Sequence, residues 1–265
     1  MMKNNLKWAG GRALDIFFPP RCALCDSIMP SGIKRICRDC ESKVIYVGEP
    51  RCLKCGKHIE SDEEEYCYDC SRKQRDFIRG YPLFEYVSPV SDSLMALKYK
   101  DRQEYASYYG EEISRVFGRS FRKLGIEALV PVPIHKKKYS TRGYNQAELI
   151  AKAIGKKMHI KVRTDIIIRT EYTPPQKELN DEEREKNMQK AFRACVTTGN
   201  RNIYGQSNAM DFGEMSISGN LVPECILLVD DIYTTGSTIQ ACTLACKEAG
   251  VKRVYYTSVA IGVDT

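Results

Sequence analysis

The 265-residue sequence predicts an α/β fold, with a parallel sheet covered by helices on both faces and a small metal-binding module before it. Three observations predict it. A cysteine-rich repeat occupies residues 20–70, apolar runs alternate with amphipathic segments from residue 77 onward, and one apolar run leads through a polar, glycine-containing loop into a helix. The length and the change in composition predict two domains, residues 1–75 and 76–265.

The first twenty residues combine basic side chains with an apolar stretch, a combination that is also found in signal peptides. Arg12 and Asp15 interrupt the apolar stretch, and no small-residue cleavage site follows it. We therefore expect a short amphipathic helix that ends at Pro19 and Pro20. Since no apolar run approaches the roughly 18 residues that cross a bilayer, we expect a cytoplasmic location without membrane insertion.

Eight cysteines in the N-terminal module recur with a period of thirty residues. Each copy of the repeat reads C-x2-C, eleven residues, C-x2-C, and the cysteines are Cys22, Cys25, Cys37, Cys40, Cys52, Cys55, Cys67 and Cys70. In a cytosolic chain this spacing favours zinc over disulfides or buried thiols, and four sulfur ligands per ion leave no open position for catalysis. Two structural zinc sites are predicted. Pairing in sequence order is the simplest arrangement, and a cross-braced pairing is the alternative.

Hydrophobic periodicity predicts the elements of the larger domain. Strands are expected over residues 77–87, 128–133, 166–169, 192–197, 226–230 and 254–261, and helices over residues 94–99, 105–121, 144–158 and 238–249. Parallel sheets of this kind bind ligands beyond the carboxyl ends of their strands. Residues 198–220 are rich in Asn, Gly and Ser, and we expect them to form a surface loop or a hairpin insertion.

The run ILLVDDIYTTGST, residues 226–238, carries the strongest chemical indication. Its polar positions are Asp230, Asp231, Thr234, Thr235, Gly236, Ser237 and Thr238. The two aspartates are expected at the exposed end of a buried strand. The loop after them enters a helix, where backbone amides and hydroxyls form an anion cradle. Paired carboxylates beside such a cradle suit a ligand with a 5′-phosphate and vicinal hydroxyls, whereas a capped helix after an acidic turn is the alternative.

This run resembles the thirteen-residue motif with which type I phosphoribosyltransferases bind phosphoribosyl pyrophosphate (PRPP). Over nearly the whole length, the chain resembles the ComF family of competence-associated proteins. Besides the cysteine repeat, the segments that carry this resemblance are Leu97–Tyr99, Pro131–Pro133, Arg142–Ala147, Arg169-Thr170, Pro175-Gln176, Leu179, Arg184, Asn187 and Ala191-Phe192. The long stretch between Phe192 and Ile226 departs from the family, whose members keep it short.

The resemblance implies a type I phosphoribosyltransferase-like fold and a role for each motif. Asp230 and Asp231 would hold the ribose hydroxyls, and the residues from Thr234 to Thr238 would hold the 5′-phosphate. The implied pyrophosphate loop contains Ile134, His135 and Lys136, with Arg142 nearby. A flexible lid over residues 169–191 would contribute Gln176, Arg184 and Asn187, although its charge density also fits an exposed helix. Magnesium bound with PRPP is the implied cofactor besides zinc.

Two functions fit the same site. In the first, the protein transfers phosphoribose from PRPP to a base or an amine by positioning and charge stabilisation, but no acceptor pocket or glutaminase domain is recognisable. In the second, which we favour, the resemblance implies handling of single-stranded DNA beside a competence helicase. Residues 135–169 contain ten Lys or Arg and two acids, which suits a polyanion, although such runs are usually solvated faces. A purely structural zinc protein would leave residues 230–238 unexplained.

Overall fold

The computed structural model describes residues 19–30, 35–170, 188, 190–195 and 222–263. The expected N-terminal helix, the lid residues Gln176, Arg184 and Asn187, and the insertion at 198–220 lie outside the described residues. The described part is a mixed α/β fold with a five-stranded parallel sheet and a cysteine-rich module at the N-terminal side. The predicted fold class is confirmed at this level.

The elements follow the predicted order along the chain. The strands are β1 (Gly80–Glu85), β2 (Ala128–Pro131), β3 (Lys161–Val162), β4 (Ile167–Arg169), β5 (Phe192–Ala194), β6 (Cys225–Tyr233) and β7 (Arg253–Ile261). The helices are α1 (Arg38–Lys43), α2 (Tyr68–Arg72), α3 (Val90–Tyr99), α4 (Tyr105–Leu124), α5 (Lys136–Arg142), α6 (Gln146–Met158) and α7 (Ser237–Glu248). Four short elements, α1, α2, α5 and β3, were not predicted, because their sequences contain few apolar residues and show neither an apolar run nor a period.

The main sheet has the strand order β1-β7-β6-β2-β3, and its neighbouring strands are parallel. Side chains alternate between its two faces, as the pleat requires. In β6, Leu227 and Val229 join one apolar cluster, and Ile226 and Leu228 join the other. Strands β4 and β5 pair with each other in a separate antiparallel sheet. Strand β2 ends at Pro131, opposite Val229, and β6 continues beyond it to Tyr233 at the edge of the sheet where the site forms.

Helices cover both faces of the sheet. Helices α3, α4 and α6 pack on the first face, where Leu97, Phe121 and Ile150 are fully buried. Helix α7 packs on the second face, where its Cys242 and Cys246 are both fully buried. Among the described helices, none combines the length and the apolar character needed to cross a bilayer.

The cysteine-rich module lies against the outer edge of the sheet, beside β1. The amide of Gly80 donates to Lys54 O at 2.8 Å, and the amide of Glu85 donates to Ile45 O at 2.9 Å. Leu24 belongs to the apolar cluster of the first face, and Ile59 belongs to the cluster of the second face. The module and the sheet thus share both cores, and the division into domains 1–75 and 76–265 stays a prediction.

Candidate functional site

The eight cysteines of the repeat form two clusters. Within each cluster the four sulfur atoms lie within 4.8 Å of one another, and the clusters are Cys22, Cys25, Cys37, Cys40 and Cys52, Cys55, Cys67, Cys70. The ligands are therefore paired in sequence order, and the cross-braced alternative is excluded.

The surroundings of the sulfurs fit zinc. Four thiolates form the tetrahedral set that a structural zinc ion takes, with no position left for a substrate. Backbone amides also point at the sulfurs: Cys37 N donates to Cys22 Sγ at 3.3 Å, and Cys40 N donates to Cys37 Sγ at 3.4 Å. Such bonds stabilise the thiolate form of cysteine that binds metal. The chain thus has two zinc-binding sites, each with four cysteine ligands.

Asp230 and Asp231 lie inside β6, and the prediction that they sit at its exposed end was wrong. Strand pairing with β7 continues as far as Tyr233, opposite Ile261. Both aspartates are buried, with only 7% of Asp230 and 4% of Asp231 exposed. The sequence pattern could not reveal this, because an acidic pair after an apolar run usually marks the point where a strand emerges into solvent.

A lysine and a glutamine are polar partners of Asp231, one of the two buried aspartates. The ammonium group of Lys98 forms an ion pair with Asp231 Oδ2, and Gln146 Nε2 donates to Asp231 Oδ1 at 3.2 Å. Burial alone would raise the pKa of Asp231, but Lys98 and the hydrogen bonds bring that pKa below its ordinary value. The pKa of Asp230 is raised well above its ordinary value by burial and by the neighbouring charge of Asp231. The pair thus favours one carboxylate and one neutral carboxyl group, which together accept and donate hydrogen bonds.

The loop after β6 has the form of an anion cradle. Gly236 has φ +77°, and a Cβ atom there would lie 2.2 Å from Tyr233 Oη, so the position requires glycine. Helix α7 begins at Ser237 without an acidic residue in its first turn and without a side-chain cap. The hydroxyls of Thr235 and Ser237 lie 3.1 Å apart. Backbone amides of the first helical turn, hydroxyls and the helix dipole together favour an anion at this end of α7.

A cavity of about 280 Å³ connects the aspartates with the cradle. The predicted residues in its wall are Asp230, Asp231, Thr234, Thr238, Ile134 and Arg142. The wall also contains Lys98, Tyr99, Lys138, Gln146 and Arg169, to which the sequence assigned no individual role. The remaining predicted residues, Thr235, Gly236, Ser237, His135 and Lys136, lie beside the cavity and not in its wall.

His135 begins the short helix α5, which occupies part of the expected pyrophosphate loop. Its Nδ1 atom accepts a hydrogen bond from the amide of Lys137 at 3.2 Å and so caps the helix. Partial burial and the positive charges of Arg169 and the α5 lysines lower the pKa of His135. A neutral imidazole is consistent with this capping role.

A second, basic cleft of about 350 Å³ adjoins the first cavity. Its wall consists of Lys98, Tyr99, Asp101, Lys137, Lys138, Thr141, Arg142 and Tyr144, four of which also line the first cavity. The guanidinium of Arg142 lies 5.4 Å from the centre of the Tyr99 ring. Partial burial and the nearby cations Arg169, Arg142 and Lys98 lower the pKa of Lys138. Positive charge and an exposed aromatic ring are therefore concentrated beside the aspartate pair.

Two of the wall residues without a predicted role contact Asp231 directly, and both lie in segments that carry the family resemblance. Lys98 lies near the end of α3, next to the buried Leu97, and Gln146 begins α6 directly after its cap, Asn145. Lys98 lies within an apolar stretch and Gln146 is buried, and a polar side chain in such a place needs a polar partner. What the sequence could not supply was the identity of that partner, because Asp231 is distant in sequence from both of them.

Together the fold and the site define an α/β protein with a double zinc ribbon and a polar cavity at the carboxyl edge of its sheet. Residues 13–71 match the family of double zinc ribbon domains. The chain is 28% identical over 129 residues to competence protein F of Haemophilus influenzae, which covers 48% of this chain and 47% of that protein. It is 25% identical over 158 residues to the DNA utilization protein YhgH of Escherichia coli, which covers 58% of this chain and 60% of that protein.

A longer match, 22% identical over 232 residues, joins 86% of this chain to 72% of the competence protein ComFC of Bacillus subtilis. The shared region spans about half of the Haemophilus protein and less than two thirds of the Escherichia protein. These relatives and the double zinc ribbon support the resemblance of the chain to the ComF family.

Proposed function

We propose that the protein binds PRPP in the cavity between β6, α3 and the start of α7, and that it acts in competence by handling single-stranded DNA. One observation carries the proposal: the buried pair Asp230 and Asp231 faces the same cavity as Thr234 and Thr238 at the start of α7. A ribose 5-phosphate needs both features in one cavity, since carboxyl groups suit its vicinal hydroxyls and a helix N-terminus suits its phosphate.

The cations around the cavity suit the pyrophosphate arm of PRPP. Lys98, Lys138, Arg142 and Arg169 all line its wall, and the first cavity is continuous with the basic cleft through three of them. Magnesium, which prefers oxygen ligands, would bind together with PRPP and offset part of the negative charge of its pyrophosphate. Within the described residues the candidate metal clusters are the two cysteine sets, so magnesium would arrive held mainly by oxygens of PRPP itself.

The proposed role with DNA has two supports. The relatives carry the names competence protein and DNA utilization protein. The basic cleft also offers cations for phosphates and the Tyr99 ring, 70% exposed, for base stacking. We further propose that the protein works in the cytoplasm beside a helicase of the same pathway.

Phosphoribosyl transfer is the second candidate function. The basic cleft supports phosphoribosyl transfer, because it provides space for an acceptor molecule directly beside the proposed PRPP cavity. The sequence alone had indicated no acceptor pocket. In such a reaction Asp230 and Asp231 would position the ribose of PRPP, and the cations would stabilise negative charge on the departing pyrophosphate. Incubation of PRPP and magnesium with a panel of bases and amines tests this function. Absence of any turnover, with PRPP still bound, would eliminate it.

Calorimetric titration of PRPP with magnesium tests the binding proposal. Wild-type protein is expected to bind, and Asp230→Asn/Asp231→Asn is expected to bind at least about tenfold more weakly, since hydrogen bonds to charged groups are lost. Glu224→Gln is a suitable control, because Glu224 lies at the opposite end of β6 in an exposed pair with Lys252. Unchanged binding by the double variant would refute the proposed site.

Fluorescence anisotropy with a labelled oligothymidylate tests the DNA role. Wild-type affinity should fall steeply with salt, and Tyr99→Ala/Lys138→Ala should bind more weakly with a shallower salt dependence. The matched control is Tyr139→Ala/Lys152→Ala, which removes an exposed tyrosine and an exposed lysine that do not line the cleft. Absent binding, or binding independent of salt, would rule out this role.

A further inference from the structure

The segment directly after the second zinc ribbon contacts the anion cradle. Arg75 is 5% exposed, and its Nη2 donates to the carbonyl oxygen of Thr235 at 2.7 Å. The next residue, Asp76, exchanges two hydrogen bonds with the side chain of Gln240 in the first turn of α7, one of them from Asp76 N to Gln240 Oε1 at 2.9 Å. The chain that leaves the ribbon therefore holds both the loop and the helix that follows it.

A second contact route joins the ribbon to the same loop. The hydroxyl of Tyr256 donates to the carbonyl oxygen of Cys55, a ligand of the second zinc site, at 2.7 Å. The ring of Tyr256 stacks on that of Tyr233, with centroids 4.9 Å apart and planes 10° apart. Tyr233 Oη in turn occupies the space beside Gly236, where a side chain would otherwise be. A ligand residue of the second ribbon is thus connected to the glycine of the cradle by packed aromatic rings.

The first zinc ribbon is attached elsewhere. Its Arg35 forms a bidentate ion pair with Glu111 of α4, with bonds of 2.7 Å and 2.8 Å. Its Asp26 accepts hydrogen bonds from Arg102 at 2.7 Å and from Tyr105 at 2.5 Å. For the described residues of this ribbon, these attachments lie on the opposite face of the sheet from α7. The two ribbons have the same ligand spacing but different neighbours.

We propose that the second zinc ribbon holds the anion cradle in its binding conformation, with Arg75 as the positioning residue. The peptide between Thr235 and Gly236 is planar and trans, so its carbonyl and its N–H point in opposite directions. Because Arg75 binds the carbonyl oxygen of Thr235, the N–H of Gly236 points away from Arg75. In this direction the N–H can donate a hydrogen bond to an anion in the cradle. The first ribbon stabilises the other face and leaves the cradle unaffected. This inference rests on the proposed phosphate-binding role of the loop.

Three variants test the positioning role. Arg75→Met keeps the aliphatic stem and removes the donors, Arg75→Lys keeps a positive donor, and Arg35→Met removes the corresponding ionic attachment of the first ribbon. Hydrogen exchange of residues 233–240, without ligand, should be roughly tenfold faster in Arg75→Met and partly restored in Arg75→Lys. PRPP affinity, measured calorimetrically, should fall in parallel, while zinc content stays at two ions. Arg35→Met should change neither readout.

The proposal is overturned if Arg75→Met leaves exchange of residues 233–240 unchanged, or if Arg35→Met accelerates it equally. A second pair of variants tests the ribbons themselves: Cys70→Ser should accelerate this exchange clearly more than Cys25→Ser does. Equal effects of the two cysteine variants would also overturn it, and if Cys70→Ser does not fold, the arginine variants decide. Failure of the wild type to bind PRPP would refute the proposed ligand, whereas the exchange comparison would still decide the positioning role of Arg75.

Discussion

The two adjacent aspartates of β6 have opposite electrostatic environments. Asp231 has Lys98 as its counter-ion, whereas Asp230 is buried beside the charge of Asp231, and its pKa is raised. A carboxyl group whose pKa is higher in the folded than in the unfolded protein binds an extra proton in the folded state. Its contribution to stability is present at low pH and is lost as the pH rises through the folded pKa.

We therefore predict that Asp230→Asn stabilises the protein at neutral pH while it weakens PRPP binding. The gain in the free energy of unfolding should grow as the pH rises above the ordinary pKa of an aspartate, and it should vanish below about pH 4. Urea denaturation from pH 4 to pH 8 measures it. Asp165→Asn is the control of opposite sign, because Arg163 lowers the pKa of Asp165. Lower stability of Asp230→Asn at pH 7 would contradict the assigned environment.

Two constraints act at Gly236, its positive φ and its close contact with Tyr233 Oη, and a matched pair of variants separates their effects. Gly236→Ala should lose about 1 kcal/mol for its positive φ and more for the clash with Tyr233 Oη, and PRPP affinity should fall with it. Gly125→Ala is the matched control, because Gly125 has φ +67° and a Cβ atom there would meet no other atom within 4 Å. Denaturation and calorimetry on both variants measure the two effects. Equal losses of stability would mean that the clash is relieved without cost.

At the residue scale the sequence predicted the chemistry of the site better than its environment. The aspartates and the hydroxyl-rich loop were identified because apolar, acidic and small residues follow one another in an unusual order. Their burial, and the pairing of Asp231 with Lys98 and Gln146, depend on contacts between β6, α3 and α6. No local pattern specifies such contacts, because each partner lies more than eighty residues away in sequence.

At the element scale, segments with an apolar face or an apolar run were predicted, and short polar segments were missed. Helices α4, α6 and α7 and strands β2, β6 and β7 were predicted to within a few residues, since each has a clear apolar face or run. Helix α5 consists of the residues KKKYSTR and has no apolar face, so its sequence alone indicates a solvated loop. It forms because His135 caps its start and Gly143, with φ +81°, ends it.

The start of α6 is fixed by one buried side chain. Asn145 Oδ1 accepts from the amide of Ala147 at 3.1 Å, and Asn145 Nδ2 donates to the carbonyl of Val132 at 3.0 Å. We predict that Asn145→Ala lowers the free energy of unfolding by about 2 kcal/mol and weakens PRPP binding, because Gln146 loses its anchor beside Asp231. Asn145→Asp, which keeps the cap and loses the donor, should be intermediate in chemical denaturation. If Asn145→Asp matched the wild type, the bond to Val132 would be unimportant.

At the scale of the whole molecule, the zinc ribbons belong to the same cores as the sheet. Leu24 and Met29 of the first ribbon are buried among residues of α3 and α4, and Cys52 and Ile59 of the second lie in the cluster that contains α7. The sequence predicted a separate N-terminal module, because its metal ligands and few apolar residues suggest an independent unit. Sequence composition does not show that the few apolar residues of such a module can pack into the core of the neighbouring domain.

Zinc removal should therefore destabilise the entire protein and not only its N-terminal module. Ion binding supplies much of the folding free energy of a ribbon, and an unfolded ribbon would uncover apolar residues on both faces of the sheet. We expect one calorimetric unfolding transition in the zinc-loaded protein, and a fall of that transition as a whole when a chelator removes both ions. The chelator's own effect is controlled by adding it together with excess zinc. The contradicting result would be two separate transitions, of which the one at higher temperature is unaffected by chelation. Residues 76–265 would then fold independently, because their core would be stable without the apolar residues that the ribbons contribute.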